Sequence, residues 1–214
     1  MTCQVVPCPP ATAARLVVAH HYLHRRPSIS YAFALMSHGA PRGVVTFGTP
    51  ASRHMLIGVN PANPSSVIEL NRLWVHDDMP PNTESWFVSR ALKRLPPLIV
   101  VSYADTAHGH LGYIYRALNF RYAGWTDMDR KTPRFDYVPH DETKHTREAS
   151  RSGYKEKRRR EPKVRYWTTT GNRRERAQLA AQCQWPSLSW TTAPPPKPHQ
   201  FAGLAADVST TPNT

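Results

Sequence analysis

The chain has 214 residues, with 28 Lys and Arg against 15 Asp and Glu, a formal charge of +13 and three cysteines. That length suits one sizeable core plus an appendage, the charge asks for a polyanionic partner, and no apolar run nears the roughly 20 residues that cross a bilayer. Cys3, Cys8 and Cys183 are odd in number and lack zinc-site spacing, so they read as free thiols, and without a signal-peptide pattern the chain reads as soluble and intracellular.

In chain order, Pro9-Pro10 leads into a helix on which Ala11, Ala14, Val18 and His21 with Tyr22 recur at helical spacing, and Pro27 closes it. His20, His21, Tyr22 and His24 are expected to cluster on that helix. "YAFALMSHGAPRGVVTFG" reads as two strands joined by a hairpin turn at Ser37-His38-Gly39. "SSVIELNRLWVHDD" alternates as a half-buried strand and ends at Asp77-Asp78. A helix starting near Ser85 places Phe87, Val88, Ala91, Leu92 and Leu95 on one face before Pro96-Pro97. "LIVVSY" is a continuous apolar strand, "GHLGYIYRALNF" spaces Leu111, Ile114, Tyr115 and Leu118 for another helix, and "RYAGW" returns as a strand.

The basic charge is concentrated late. Between Arg151 and Arg176 there are eleven Lys and Arg against Glu156, Glu161 and Glu175. Tyr154, Tyr166 and Trp167 lie among them, so cations for phosphates alternate with rings that can stack on exposed bases. A solvated surface is the plainer reading of such a run. The division expected is a catalytic domain over 1–139, a basic extension over 140–185 carrying Lys155, Lys157, Arg158, Arg159, Arg160, Lys163, Arg165 and Trp167 as DNA contacts, and a Pro-rich flexible tail over 186–214.

Several polar groups stand where either packing or chemistry accounts for them. Asn82, Thr83 and Ser85 precede a helix and can cap its amides, or offer those amides to an anion. Arg72 in a strand-like run needs a partner, either Glu69, Asp77 or Asp78 in an ion pair or the carboxylate, phosphate or acyl group of a ligand. Asp105 follows Tyr103 at the end of a strand, where an Asp caps a turn or lines a ligand site. Tyr115 is a core aromatic on spacing alone, with Tyr113 facing elsewhere.

The element order predicts an α/β fold with a mixed central sheet flanked by helices. The helix with its tyrosine followed by Asn119-Phe120-Arg121-Tyr122 is similar to the GNAT-type acetyltransferase fold, and "ELNRLWVHDDMPPNTESWFVSRAL" with "VVSYADTAHGHLGYIYRALNFRYAG" resembles the Mom family of bacteriophage DNA-modification proteins. The resemblance covers about Ala19 to Gly124. It implies an enzyme that puts a carbamoylmethyl group on adenine N6 of double-stranded phage DNA in the bacterial host's cytoplasm, protecting that DNA from restriction. It also implies site roles for His21, Tyr22, Arg72, Ser85, Tyr103, Asp105 and Tyr115, with Tyr115 as general acid beside a coenzyme thiolate and Asp105 orienting or deprotonating the adenine amine. Acetyl-coenzyme A or a related acyl donor would lie against Leu73, Val75, Asn82, Thr83 and Ser85, although the fold's glycine-rich pyrophosphate turn is absent. Because that product is joined through a methylene carbon, simple acetyl transfer does not make it, and a redox metal such as iron, held by His, Asp or Tyr, is one route. Two alternatives stay open: an ordinary N-acetyltransferase of a small amine, protein or RNA, and a noncatalytic basic phage protein that coats DNA. A homodimer is compatible with any of the three.

Overall fold

A computed structural model describes residues 3–127, 132, 134–137 and 156–189. Its elements are β1 (Cys3–Pro7), α1 (Pro10–His20), β2 (Tyr31–Ser37), β3 (Ala40–Gly48), α2 (Arg53–Val59), β4 (Val67–Val75), α3 (Thr83–Leu92), β5 (Ile99–Asp105), α4 (Tyr113–Ala117), β6 (Arg121–Trp125), β7 (Phe135–Tyr137), β8 (Lys157–Arg159), β9 (Lys163–Thr169) and α5 (Arg173–Gln182). Seven strands form one sheet in the order β1-β2-β3-β4-β5-β9-β6, and β7 with β8 makes a separate two-stranded ribbon. Every neighbouring pair in the large sheet is antiparallel except β4 with β5.

The predicted hairpin is present, with Ser37 opposite Ala40. His38 and Gly39 both take positive φ, 50° and 76°, the conformation of a two-residue turn whose twist matches the strands it joins. Phe87, Val88 and Ala91 of α3 are fully buried as their spacing requires, packed with Phe33, Phe47, Leu70 and Val100; each such Phe or Val contributes about 2 kcal/mol. α3 starts two residues before Ser85, and its periodicity stops at Leu92, so Leu95 is buried from beyond the helix.

α3 and α4 cover one face of the sheet. On the other face α1 buries Ala13 and Val17 against Ala32, Ala34 and Val44, while α2 and α5 close over Val67, Ile99, Val101 and Trp167. Strand β1 and helix α2 have no counterpart in the sequence reading. Both are short, and α2 has neither a side-chain cap nor a charged turn to mark it.

The division at residue 139 does not hold. Lys163–Thr169 is an interior strand of the main sheet, paired with β5 from Asp105↔Lys163 to Ile99↔Thr169 and with β6 on its other edge. The supposed tail is likewise anchored at its start, since Leu188 N donates to Tyr122 O at 2.8 Å and Gln184 N to Val59 O at 2.8 Å. Residues 190–214 lie outside the described residues, as do Tyr154 and Lys155.

Candidate active site

β4 and β5 pair only over Val67–Glu69 and Ile99–Val101, then part. A cleft of about 780 Å³ opens where they separate. Beyond Glu69 the β5-facing edge of β4 has no strand partner, although Ser102 Oγ donates to Leu70 O at 2.9 Å and closes the base of the notch. Leu73 and Val75 lie on the wall.

One local irregularity decides which side chains meet there. The β3–β4 register shifts between Thr46 and Phe47, which pair with Arg72 and Leu70, so Asn71 is an extra residue. Its amide is fixed on both sides, accepting from Thr46 Oγ1 at 2.6 Å and donating to Ser28 O at 2.8 Å. Residues three apart on a strand ordinarily face opposite ways, but a bulge resets the alternation. Arg72 therefore shares a face with Glu69, whose register partner is Val101. Tyr103 and Asp105 follow Val101 on the same face by the two-residue period of β5.

Glu69 is the residue the sequence reading passed over except as an ion-pair candidate. Burial raises its carboxyl to about 7 against the opposing pull of Arg72 and Lys163. Arg72 donates from Nη1 to Asn71 O at 2.6 Å, and its Nε is buried without a hydrogen-bond partner among the described residues. Neither Asp77 nor Asp78 takes it up: Asp78 pairs with Arg42 and His76. An unused, buried guanidinium donor in a cleft suits a ligand oxygen.

Asp105 caps a turn and also lines the cleft. Its carboxylate accepts from Ala107 N at 3.2 Å, capping a short 3-10 turn over Thr106–His108, and pairs with Lys163 Nζ at 2.5 Å inside the cleft. Lys163, expected among the DNA contacts, is thus a cleft residue. Tyr115 enters from α4, which is shorter than expected because Gly112 adopts φ 81° and the helix starts only at Tyr113. A side chain at Gly112 would meet the Tyr166 ring at 2.5 Å, so that position must be bare. The Tyr115 hydroxyl lies 2.7 Å from Ser102 Oγ, and burial pushes its pKa up to about 12, which keeps it a proton donor at neutral pH. Burial also raises the Tyr103 hydroxyl. Tyr113 is 68% exposed, yet it too lies along the cleft, against the expectation that it faces elsewhere.

His21, Tyr22 and His24 are not on α1. The helix ends at His20, and His21 turns to extended geometry with ψ 138°. The side chains of His21 and Tyr22 nonetheless reach the cleft: His21 stacks on Tyr22 at 4.2 Å, and Tyr22 packs on His108 at 4.3 Å and His110 at 5.1 Å, whereas His24 is not among the cleft residues. The two later histidines went unread, though "AHGHLG" after a strand is a visible signal. His21 is buried, accepts from Leu23 N at 3.1 Å, and is lowered to about 3 by burial first and by Arg72 and the other histidines next. The unfolded chain therefore binds a proton near pH 6.5 that the native protein refuses, so this group's contribution is lost as pH falls below about 6.5. His21→Asn retains the acceptor without titrating. Urea unfolding of the wild type minus the variant should show a difference that grows from pH 7 to pH 5; a flat difference would exclude this role.

At the start of α3, Ser85 Oγ donates to Asn82 O at 3.0 Å and Thr83 Oγ1 to Pro80 O at 2.6 Å, while Asn82 sits at φ 68° with no side-chain cap. Asn82 and Ser85 line the cleft, but so do Glu84 and Asp77, whose charge opposes a diphosphate at this helix end. Among the described residues no three His, Cys, Asp or Glu are placed to hold a metal ion, and no helix is long and apolar enough to cross a membrane.

Two of the expected base-stacking aromatics, Tyr166 and Trp167, are interior. Trp167 is 1% exposed, its indole N–H donates to Pro186 O at 2.9 Å, and Arg121 covers its ring. Tyr166 is fully buried and donates to Leu111 O at 2.9 Å. Arg165 lies over Trp185 at 5.4 Å, and Arg160 is held by Asp136. Lys157 and Arg158 are exposed on the ribbon, and Arg159 is half-buried there.

A mixed seven-stranded sheet, helices on both faces and a notch where its one parallel pair parts define an α/β protein with a cleft at the sheet's split. A family model described as the Mom protein family matches residues 2–182, and the chain belongs to that family. The methylcarbamoylase mom of Escherichia phage Mu is 47% identical over 62 residues, which are 27% of this chain and 26% of that protein. The match thus spans about a quarter of the curated relative's length. Among solved structures, a GNAT superfamily phosphinothricin acetyltransferase from Sinorhizobium meliloti in complex with AcCoA is 10% identical, covering 80% of this chain and 90% of its own, with a TM-score of 0.48. The acetyltransferase yncA from Salmonella typhimurium, solved with its cofactor acetyl-CoA, is 9% identical over 80% and 96% of the two chains, with a TM-score of 0.46.

Proposed function

We propose that this protein is a transferase that modifies the N6 amine of adenine in double-stranded phage DNA with a carbamoylmethyl group, in the cytoplasm of the bacterial host, so that the DNA resists restriction. The observation that carries the reading is a single cleft, in a chain of the Mom family, that joins a proton acceptor, an unused guanidinium donor and a phenol that stays protonated. Whichever carbon of the donor takes the new bond, one proton must leave the amino nitrogen as that bond forms. Glu69, with its carboxyl near 7, is suited to accept it. Asp105 is already engaged by Lys163 and the Ala107 amide, which fits it to hold the other amino N–H rather than to take a proton. Arg72 Nε points its donor at charge growing on the donor's carbonyl oxygen, and the Tyr115 hydroxyl is placed to give a proton at the notch floor.

An acyl donor fits this chain in one part. The open edge of β4 from Asn71 to Val75 can take an extended amide-bearing arm as an added strand does. A two-carbon thioester bound there would supply the carbons; joining its methyl carbon to N6 also consumes an oxidant for the methyl C–H bond, and an amine displaces the thiolate to leave the amide. Adenine N6 lies inside the base pair, so the base must leave the stack to reach Glu69.

Mass analysis of nucleosides from DNA of cells expressing the protein tests the reading, with calorimetry of acetyl-coenzyme A alongside. A new adenine adduct and measurable donor binding are expected. Acetylated lysine or small amines with unmodified DNA would point to an ordinary N-acetyltransferase. DNA binding with no product of either kind would leave a noncatalytic coat protein.

A further inference from the structure

We propose that the ribbon of β7 and β8 is an arm that enters the major groove of duplex DNA beside the cleft, and that one of its two faces does so. This rests on the DNA substrate proposed above. In the ribbon Phe135 pairs with Arg159, Asp136 with Arg158 and Tyr137 with Lys157. Strand alternation therefore gathers Phe135, Tyr137, Lys157 and Arg159 on one face. Lys157 Nζ lies over the Tyr137 ring at 5.3 Å, which confirms that they share it. The other face is already engaged, because Asp136 Oδ2 accepts from Arg160 Nε at 2.9 Å and Oδ1 takes a second contact from the same guanidinium.

Among the described residues this face has two cations and no anion, and Phe135 stands 51% exposed at its end. Cations for phosphates beside rings for bases match a nucleic acid in charge and in chemistry. The architecture selects the duplex: a major groove about 12 Å wide admits a two-stranded ribbon, whereas the deep, narrow groove of A-form RNA does not. Its position is right as well. Arg160 N donates to Arg134 O at 2.8 Å, closing the ribbon, and three residues later Lys163 meets Asp105 in the cleft. At about 3.3 Å per residue the arm leaves the body roughly 10 Å from the site. Phe135 is then placed to fill the gap left by an extruded base.

The test uses the full chain and a short labelled duplex. For Lys157→Ala with Arg159→Ala, affinity should fall about 10-fold and the salt slope by about 1.8, at about 0.9 per phosphate contact. Arg158→Ala, on the opposite face, should change the slope far less. Phe135→Ala should lower modification of duplex about 10-fold and leave modification of a single-stranded oligonucleotide unchanged, since only the duplex needs a base extruded. Circular dichroism verifies that each variant is folded. If the intact protein binds duplex but the face variants bind with the same affinity and slope, or a hairpin RNA binds more tightly than the duplex, the arm is not a duplex reader. If the intact protein neither binds duplex nor forms an adduct, the DNA reading itself falls, and the arm's role with it.

Discussion

Glu69→Gln is expected to reduce DNA modification by roughly 100-fold or more, the scale of losing a positioned proton acceptor. The variant preserves shape and hydrogen bonding, so a loss of that size identifies the proton as the cause. The pH profile supplies a second signature. In the wild type, activity should rise through about pH 7 as the carboxyl loses its proton, and in Glu69→Gln that rise should vanish. Arg72 and Lys163 are the cations that face Glu69, Tyr103 and Tyr115 remain protonated phenols across the window, and His21 is already neutral. Stability should move oppositely. A carboxyl raised from 4.5 to about 7 holds a proton in the native state that the unfolded chain has released, so its ionised form costs stability that grows from pH 4.5 and is complete above pH 7. Glu69→Gln should therefore melt higher than the wild type at pH 8. Full activity with an unchanged profile would remove Glu69 from the reaction.

Arg72→Met should lower modification by roughly 100- to 1,000-fold, the range for losing one donor aimed at a developing oxyanion. It should do so without unfolding the protein, because a buried Nε with no partner among the described residues stabilises nothing. The single change also bears on Glu69. Arg72 draws the Glu69 pKa down, so its removal should push the midpoint of residual activity above pH 7. Measuring kcat/KM against pH in the variant distinguishes this from general damage: an unshifted midpoint means the two side chains do not share one electrostatic environment.

The parts of this protein that are local could be read from its residues. Val67–Val75 was recognisable as a strand because its apolar residues recur within the segment itself, and the Ser37-to-Ala40 hairpin because two turn residues suffice to specify it. Arg72 and Asp105 stood out as costly or conspicuous in their own segments, and Tyr115, His21 and Tyr22 came from the family resemblance; all of them line the same cleft. Glu69 did not stand out, because its burial depends on strands that part from one another and on an added residue at Asn71, neither of which leaves a periodic trace. Lys163–Thr169 was hidden for a different reason. Lys163 and Arg165 alternate with Val164 and Tyr166, and the charges dominate any local average, whereas the partner strand lies more than fifty residues earlier. The same segment misled on Trp167, whose place among cations suggested a surface that its neighbours in space deny it.

The placement of that strand has a consequence for how the molecule comes into being. β9 is made last among the strands, yet it lies between β5 and β6, and β6 has no other strand neighbour. During synthesis the nascent chain can build β1 to β5 early, but β6 must wait for a partner that leaves the ribosome some forty residues later. Contacts that distant in sequence are slow to form, because the chain between must first be closed into a loop. The cleft waits with them, since Lys163 arrives on the same strand to meet Asp105. A chain interrupted before residue 163 therefore carries Glu69, Arg72 and Tyr115 without a closed sheet to hold them. Assembly of the site is thus coupled to synthesis of β9, and products that stop short of it have no complete cleft.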